Sequence, residues 1–411
     1  MLIDILRSRP RLYRLAKRVQ PTYFKWLEAR ASTLRAVTAR SGMTRFVQNP
    51  VRTASASVMS TSPADSERAG MRAAYLHPDV GACRTLPAGL DGDARRVFED
   101  VQHAQSNAGT VFQFVDGRAW GADGAILTRD RQLVADLSPA IRLPPEAHPA
   151  FQRPIFGRPR RIDGRVAVLT GPSPDNLSHW LFGVLPRTSL LVQWNPGFQG
   201  IDWVLSPPIS TSFQAECLKR YGVPRSKLVQ VHAASFIEAP EMVAPSFISP
   251  AHVATSWFLD DLRRRFDDVA PATGSPRIWV SRANAPGRRI TNESAMDAVI
   301  ADYGLTTVYL ERLPFIEQVA LFKGADIVVA PHGAGLSQLA FARRGTGVVE
   351  LFSAAYVNAM YWCVADQVGL RYRCCVGKSS SHAMRRDLVR EDLTVDVDAI
   401  RSALDDLVSG R

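Results

Sequence analysis

Residues 325–336 read ADIVVAPHGAGL. The apolar run from Ile327 to Ala330 predicts a strand, and it ends in a turn that holds Pro331, His332 and two glycines. A steric reason for this turn exists, because Gly tolerates backbone angles that other residues avoid and Pro stops a strand. A chemical reason is equally open. A strand that ends in a glycine-bearing turn before a helix points free N–H groups at one spot, where the helix dipole favours an anion.

The same strand, turn and helix pattern recurs on both sides of this stretch. Short apolar runs separated by helical patterns predict an α/β fold with parallel sheets that carry helices on both faces. Two such lobes would face each other across a cleft. The predicted strands are RVAVLT (165–170), DWVLS (202–206), LVQV (228–231), RIWVS (277–281), TTVYL (306–310), ADIVVA (325–330), GVVELF (347–352) and YRCCV (372–376). Helices are predicted over 179–194, 212–221, 314–323 and 356–368, and from residues 292 and 333.

Length and composition describe an ordinary globular protein of two domains. The chain has 411 residues, more than a single core usually supports, and it is 46% hydrophobic and 22% charged. No apolar run reaches the roughly 20 residues that span a bilayer, and the first residues lack the apolar core of a secretory signal. Five cysteines without a C-x-x-C pair suggest neither a disulfide framework nor a zinc site. We expect a cytoplasmic protein.

The basic charge is concentrated at the N-terminus. Residues 1–50 carry +9 of the net charge of +11, with Leu12, Leu15 and Val19 at helical spacing among arginines and lysines. This basic helical arm suits peripheral contact with an anionic membrane, and packing against the body of the protein is about equally plausible. Nucleic-acid binding is disfavoured because no recognised module accompanies the charge.

Polar residues follow the predicted strands of the second half. Ligands of open parallel sheets collect beyond the carboxyl ends of the strands, so these residues are candidates for a binding site. Guanidinium groups and a helix N-terminus bind phosphate oxygens, a carboxylate accepts hydrogen bonds from a ribose diol, and Asn292 can also cap the next helix. Taken singly, each residue has a structural explanation, whereas the set predicts a nucleotide-diphosphate site. The set comprises Arg282, Arg288, Asn292, His332, Gly333, Gly335 and Glu350.

Three stretches resemble glycosyltransferase family 61, which includes bacterial capsular-polysaccharide enzymes. They are LSHWLFGVLPRTSLL (177–191), RIWVSRANAPGRRITNE (277–293) and YLERLPFIEQVALFKGADIVVAPHGAGLSQLAFARRGTGVVELF (309–352), in this order. The resemblance implies a GT-B arrangement of two Rossmann-like lobes facing a cleft. It also implies transfer, with inversion, of a sugar from a nucleotide-sugar donor, UDP-linked in our expectation, to a glycan acceptor.

The resemblance also implies roles for particular residues. Arg282 and Arg288 would face the diphosphate, the turn from His332 to Gly335 its other side, and Glu350 the ribose. His179, Trp180 and Arg187 would lie at the mouth of the cleft, on the acceptor side. We expect domains at 1–50 (basic arm), 51–70 (linker), 71–265 (acceptor-side lobe), 266–380 (donor lobe) and 381–411 (helical tail).

One position departs from the family pattern. The family usually has Asp or Glu where this chain has Gly183, four residues after His179. Inverting transfer needs a base for the incoming hydroxyl, and His179 and Asp175 are the candidates. The alternative role for His179 is only to orient the preceding loop, and Gly183 leaves open a non-catalytic relative that binds nucleotide or glycan.

We expect no cofactor and no required metal. The triplets DGD (91–93) and DVD (396–398) match the D-x-D pattern of metal-dependent transferases, but neither follows a clear strand. Arginines and a helix N-terminus can instead stabilise the charge of a leaving diphosphate. A nucleotide-dependent oxidoreductase is a rival on the same kind of sheet, but it needs a G-x-G-x-x-G turn, which HGAGLS does not supply.

Overall fold

The computed structural model describes residues 58–59 and 70–410, except 82–83, 89, 91, 141–142, 144–147, 153–157, 249–253, 275–276 and 380–389. The basic arm (1–50) and nearly all of the predicted linker (51–70) therefore lie outside the described residues. Within the described residues, the chain forms a mixed α/β structure with two sheets.

The first sheet has ten strands, in the order β1-β5-β4-β3-β10-β7-β8-β9, with β2 beside β3 and β6 beside β10. The prediction of a parallel sheet is wrong for half of it. Strand β10 runs parallel to β7 but antiparallel to the twelve-residue β3, which also pairs antiparallel with β2 and β4. The strands are β1 (Val58–Met59), β2 (Arg72–His77), β3 (Gly109–Trp120), β4 (Ala125–Leu127), β5 (Leu133–Val134), β6 (Arg160–Arg161), β7 (Arg165–Val168), β8 (Trp203–Ser206), β9 (Leu228–Gln230) and β10 (Phe236–Pro245).

The second sheet has six strands, in the order β12-β11-β13-β14-β15-β16. Its first five strands along the chain are parallel, as predicted, and the short β16 pairs antiparallel at the edge. The strands are β11 (Arg277–Val280), β12 (Thr306–Val308), β13 (Ile327–Pro331), β14 (Gly347–Ser353), β15 (Arg371–Ser379) and β16 (Leu393–Thr394).

Helices lie where the sequence predicts them over 179–194, 212–221, 314–323 and 356–368 and after residue 292, whereas the helices over 92–102, 149–152 and 256–264 were not predicted. The helices are α1 (Gly92–Gln102), α2 (Pro149–Gln152), α3 (Leu177–His179), α4 (Leu185–Trp194), α5 (Ser212–Arg220), α6 (Ser256–Arg264), α7 (Ser294–Asp302), α8 (Phe315–Gly324), α9 (Met360–Val368) and α10 (Val397–Ser409). A π-helical segment, Trp180–Val184, joins α3 to α4. Among the described residues, no helix is both long enough and apolar enough to cross a membrane.

The helix predicted to begin at residue 333 has a different form from the one expected. It is a 3₁₀ helix, Ala334–Phe341, and its residues from Leu336 onward are buried.

The largest hydrophobic cluster draws residues from both sheets. Val243 of the first sheet and Val328 of the second belong to it, whereas the neighbouring Val329 belongs to a separate cluster on the outer face of the second sheet. Helix α1 contributes Phe98, whose ring lies 5.3 Å from that of Trp362 and 6.3 Å from that of Phe352. One core therefore connects the two sheets.

We expect Phe98→Ala to lower the free energy of unfolding by about 3–5 kcal/mol, because it leaves a cavity in the shared core. Because both sheets depend on that core, calorimetry of the wild type should show one cooperative transition, and the variant should keep one transition at a lower temperature. Two separate transitions in the variant, one of them at the wild-type temperature, would show that the sheets do not share a core.

Candidate functional site

The second sheet reverses its winding between β11 and β13. Strand β12 lies on one side of β11, while β13, β14 and β15 follow in order on the other side. Ligands of open parallel sheets bind beyond the carboxyl ends of the strands at such a switch point. Arg282 comes two residues after β11, and His332 comes directly after β13. The structure therefore brings these two predicted site residues to the switch point.

The guanidinium of Arg282 is fixed beside the turn that follows β13. Its Nε and Nη2 donate to the carbonyl of Gly287 at 3.3 and 3.0 Å. Its Nη1 lies against Gly333, where a Cβ would collide with it. The φ of Gly333 is 176°, which any residue adopts, so the backbone conformation does not require glycine here. A side chain at position 333 would displace the guanidinium of Arg282 from its present place.

Arg288 supplies a second guanidinium, whose Cζ lies 5.8 Å from the ring centroid of Tyr356. Burial, and then the neighbouring charge of Arg288, lower the pKa of Arg282 to about 10, and burial also lowers the pKa of Arg288. Among the described residues, neither guanidinium has a carboxylate within 4 Å. Two half-buried cations without a carboxylate partner among the described residues are groups with which an anion would pair.

His332 is held by a chain of buried hydrogen bonds. Its Nδ1 lies 2.5 Å from Oε1 of Glu350, and the Tyr372 hydroxyl donates to Oε2 of Glu350 at 2.5 Å. The imidazole also stacks on Phe352, with ring centroids 5.3 Å apart. The other ring nitrogen, Nε2, makes no hydrogen bond to the described residues. The chain thus orients an imidazole whose outer nitrogen can serve a ligand.

The prediction that Glu350 contacts the ribose is wrong. Glu350 is fully buried and both of its oxygens are engaged within the protein. A buried carboxylate needs partners, and Glu350 finds them in the turn after β13 and in the adjacent β15. Its effect on a ligand therefore passes through His332.

The turn between His332 and the 3₁₀ helix offers backbone donors. The amide of His332 donates to Leu351, and that of Leu336 donates to Gly333. The amides of Gly333, Ala334 and Gly335 precede the first hydrogen bond within the helix and so have no helical partner. They add N–H groups next to the two guanidiniums, as the sequence predicts for an anion site.

Asn292 has a structural position and does not cap the next helix. Its Nδ2 donates to the carbonyl of Val395, and its Oδ1 accepts from the Val395 amide, both at 3.0 Å. Helix α7 begins after Glu293 without a side-chain cap. Asn292 therefore ties the loop after β11 to the segment before α10, and both polar ends of its side chain are occupied.

His179 lies at the end of α3, whose first turn is capped by Asn176. Burial lowers the pKa of His179, and the charge of Asp175 partly opposes that shift. The adjacent Ser178 donates to the sulfur of Met360 at 3.4 Å, and Tyr361 lies with its ring centroid 5.3 Å from that of His332. The start of α3 thus reaches the elements around His332, whereas Asp175 is exposed on the preceding loop.

Trp180 and Arg187 do not lie at the mouth of a cleft, because both side chains are fully buried. Arg187 donates to the carbonyl of Pro245 at 2.9 Å and to that of Thr170, and burial lowers its pKa to about 9. Trp180 packs in the core that the two sheets share. Arg187 thereby positions the loop after β7, and neither buried side chain can touch an acceptor in this structure.

The position of Gly183 is open. It lies in the π-helical segment, and a Cβ placed on it would have no neighbouring atom within 4 Å. π-Helical turns inserted in α-helices occur often at functional sites. Gly183 therefore leaves free space four residues after His179.

Aspartates of the two D-x-D triplets make contacts within the protein. Asp396 caps α10 by accepting from the amides of Asp398 and Ala399, and Asp93 in α1 pairs with Arg96. Asp91 lies outside the described residues. Within the described part of the chain, no three His, Cys, Asp or Glu side chains converge as a metal site would require.

Sequence reasoning missed three tyrosines around His332. Tyr372 holds Glu350, Tyr356 lies beside Arg288, and Tyr361 contacts the His332 ring. Glu350 itself was a signal for Tyr372, because a carboxylate in the middle of a buried strand needs a hydrogen-bond partner, and a neighbouring strand can supply it.

Part of the chain is similar in sequence to known proteins. Residues 177–349 match the family model Glycosyltransferase 61, so the predicted family is confirmed for this region. The EGF domain-specific O-linked N-acetylglucosamine transferase of Drosophila melanogaster is 35% identical over 89 residues, which are 21% of this chain and 17% of that protein. The match spans His179, both arginines and His332, and it ends one residue before Glu350.

We expect Glu350→Gln to weaken UDP binding while the protein stays folded. A carboxylate accepts at both oxygens, whereas an amide has only one acceptor oxygen, so Gln cannot accept hydrogen bonds from both Tyr372 and His332 and holds the imidazole less firmly. Calorimetric titration with UDP measures the loss. Tyr372→Phe is the matched control, since it keeps the carboxylate and should weaken binding less. Equal UDP affinity in the wild type and in Glu350→Gln would mean that the buried chain does not act on the ligand.

Proposed function

We infer that this chain, whose residues 177–349 match glycosyltransferase family 61, transfers a sugar from a nucleotide-sugar donor to a glycan acceptor. One observation carries the inference. Arg282 and Arg288 are half-buried, lack a carboxylate partner among the described residues, and converge with His332 at the switch point of the second sheet. A diphosphate is the part of such a donor that this arrangement suits.

The proposed chemistry follows from the charges at the site. The acceptor oxygen forms a bond to the anomeric carbon, the bond from that carbon to the diphosphate breaks, and the nucleoside diphosphate leaves with the electron pair. The guanidiniums and the turn amides stabilise the charge that develops on this leaving group. Attack opposite the leaving group inverts the anomeric carbon. We propose UDP as the nucleotide part of the leaving group.

We propose His179 as the base that accepts the proton of the acceptor hydroxyl. Burial keeps the pKa of His179 below its ordinary value of 6.5, so its ring is neutral and able to accept a proton at physiological pH. Ser178 brings this part of α3 against α9, close to the elements that hold His332. Asp175, which is exposed, is the second candidate for the base.

The finer architecture is part of the same proposal. In a GT-B arrangement the second sheet would hold the donor, and the first sheet, which positions His179, would present the acceptor. We propose that transfer needs no metal, because guanidiniums and amides can take the role of a cation under the diphosphate. For the acceptor we propose a cell-surface glycan, such as a lipid-linked capsular polysaccharide, with residues 1–50 in contact with anionic lipid on the cytoplasmic side.

A second candidate function is nucleotide or glycan binding without catalysis. Gly183 favours it, because the position at which the family usually carries an acidic residue is empty space in this chain. The two candidates share the diphosphate site and differ in whether the bond to the sugar is broken.

We expect Arg282→Ala to weaken UDP binding by about 1.5–3 kcal/mol, the range for a hydrogen bond to a charged group. Arg282→Lys should restore only part of the affinity, because an ammonium cannot reproduce the guanidinium fork. Calorimetric titration with UDP measures both effects. The control is Arg95→Ala, which removes a surface arginine paired with Glu99 on α1. Wild-type affinity in Arg282→Ala would remove the diphosphate from this position.

We expect His179→Gln to lower release of UDP from UDP-sugars by at least about 100-fold, the lower end of general-base effects, without changing UDP affinity. In the wild type the base form is present above the lowered pKa of His179, so the rate should be level near neutral pH and should fall only as the pH drops below the usual histidine range. UDP-N-acetylglucosamine, UDP-glucose and UDP-xylose serve as probes. A His179→Gln variant that hydrolyses a UDP-sugar at the wild-type rate would exclude this base, and a wild type that binds UDP without cleaving any UDP-sugar would favour the non-catalytic candidate.

A further inference from the structure

The first sheet carries a cavity of about 120 Å³ at the edge where β10 ends and β3 begins. Its floor is apolar and includes Phe112 and Leu137, and its rim carries Tyr75, Asn107 and Asp136. Strand β7 ends at the same edge, since β7 runs parallel to β10. The loop with Asp175 and His179 follows β7. The cavity and the candidate base therefore lie on the same edge of the first sheet.

The exposed aromatic ring of Tyr75 marks the rim. The side chain is 67% exposed, and its hydroxyl makes no hydrogen bond to the described residues. Among the described residues, Tyr75 is the most exposed of the large apolar side chains. A free ring face beside a polar rim is a surface on which the apolar face of a ligand can stack.

The remainder of the lining is rigid. Ser246 accepts from the amide of Thr110 at 3.0 Å and donates to the carbonyl of Ala108 at 2.8 Å. Asn107 donates from Nδ2 to the carbonyl of Phe247 at 2.8 Å, which leaves its Oδ1 directed away from that bond. Fixed polar groups of this kind can orient a ligand without having to be ordered first.

Phe247 connects the cavity to the loop that carries the candidate base. Its ring lines the cavity on one side, and on another it contacts Gly171, where a Cβ would come within 3.2 Å of the ring. The guanidinium of Arg187 lies 4.3 Å from the centroid of this ring and donates to both Thr170 and Pro245. The buried arginine thus links the segment after β7 to the end of β10. The loop of His179 continues from the first of these, and the cavity lies beside the second.

The chemistry of the lining selects the class of ligand. The described lining residues include no Lys or Arg and one carboxylate, so the cavity disfavours anions. At about 120 Å³ it is also smaller than the roughly 300 Å³ or more that whole cofactors and nucleotides occupy. A neutral sugar ring carries no charge and is smaller than a nucleotide. It has an apolar face that can stack on Tyr75 and hydroxyls that can bind Asn107 and Asp136.

We propose that this cavity binds one sugar unit of the acceptor glycan, away from the hydroxyl that reacts. The proposal rests on the glycosyl transfer proposed above. It assigns Tyr75 as the stacking platform, Asn107 and Asp136 as hydroxyl partners, and Arg187 as a positioning residue that keeps Phe247 between the cavity and the loop of His179.

The test uses the full chain on an array of neutral oligosaccharides of two to six sugars. Wild type and Trp203→Ala should bind the same glycans. Trp203 is an exposed aromatic residue at the start of β8, whereas the cavity lies at the edge of the sheet where the parallel strands end. Tyr75→Ala should raise the dissociation constant for the best-bound glycan about tenfold, while Tyr75→Phe, which keeps the ring, should stay close to wild type. Thermal unfolding of each variant controls for the fold, and Tyr75 is exposed enough to be replaced without loss of core packing.

Two results would overturn the proposal: no binding of the wild type to any glycan on the array, or unchanged binding by Tyr75→Ala. Titration with UDP on the same preparations separates this outcome from failure of the proposed function. All variants should bind UDP as the wild type does, since Tyr75 belongs to the first sheet and Arg282 follows a strand of the second. Glycan binding without UDP binding would support the cavity and contradict the donor site.

Discussion

A carboxylate buried in the middle of a sheet has to be paired, and the pairing of Glu350 organises the candidate site. Its two oxygens are engaged by Tyr372 from the neighbouring strand and by His332 from the turn after β13. Either partner alone would leave a costly unpaired oxygen in the core. The carboxylate therefore fixes the imidazole, and with it the turn whose Gly333 admits the guanidinium of Arg282.

The strand order of the second sheet determines where this turn lies. Its strand order places the ends of β11 and β13 at the point where the winding reverses, so one loop brings arginines and the other brings a glycine turn. Burial lowers the pKa of both half-buried guanidiniums, which have no carboxylate within 4 Å among the described residues. An anion bound beside them would offset the cost of burying their charge, which is the property expected of a site for a diphosphate.

The sequence predicted the strands of the second sheet and the gathering of Arg282, Arg288 and His332, because both depend on local patterns and on the rule for strand ends. The sequence did not predict which of the candidate side chains point into the protein. Glu350 lies in the middle of β14 and Asn292 in the loop after β11, but the polar groups of both are bound within the protein, and the side chains of Trp180 and Arg187 are buried. The antiparallel half of the first sheet also escaped prediction, since the pairing of β3 with β10 joins residues more than 100 positions apart.

A structure of the protein with UDP tests the central claim most directly. The account predicts diphosphate oxygens within hydrogen-bonding distance of the guanidiniums of Arg282 and Arg288 and of Nε2 of His332, with Glu350 still bound to Nδ1 and to Tyr372. A diphosphate bound elsewhere, or bound here while both guanidiniums point away from it, would contradict the account.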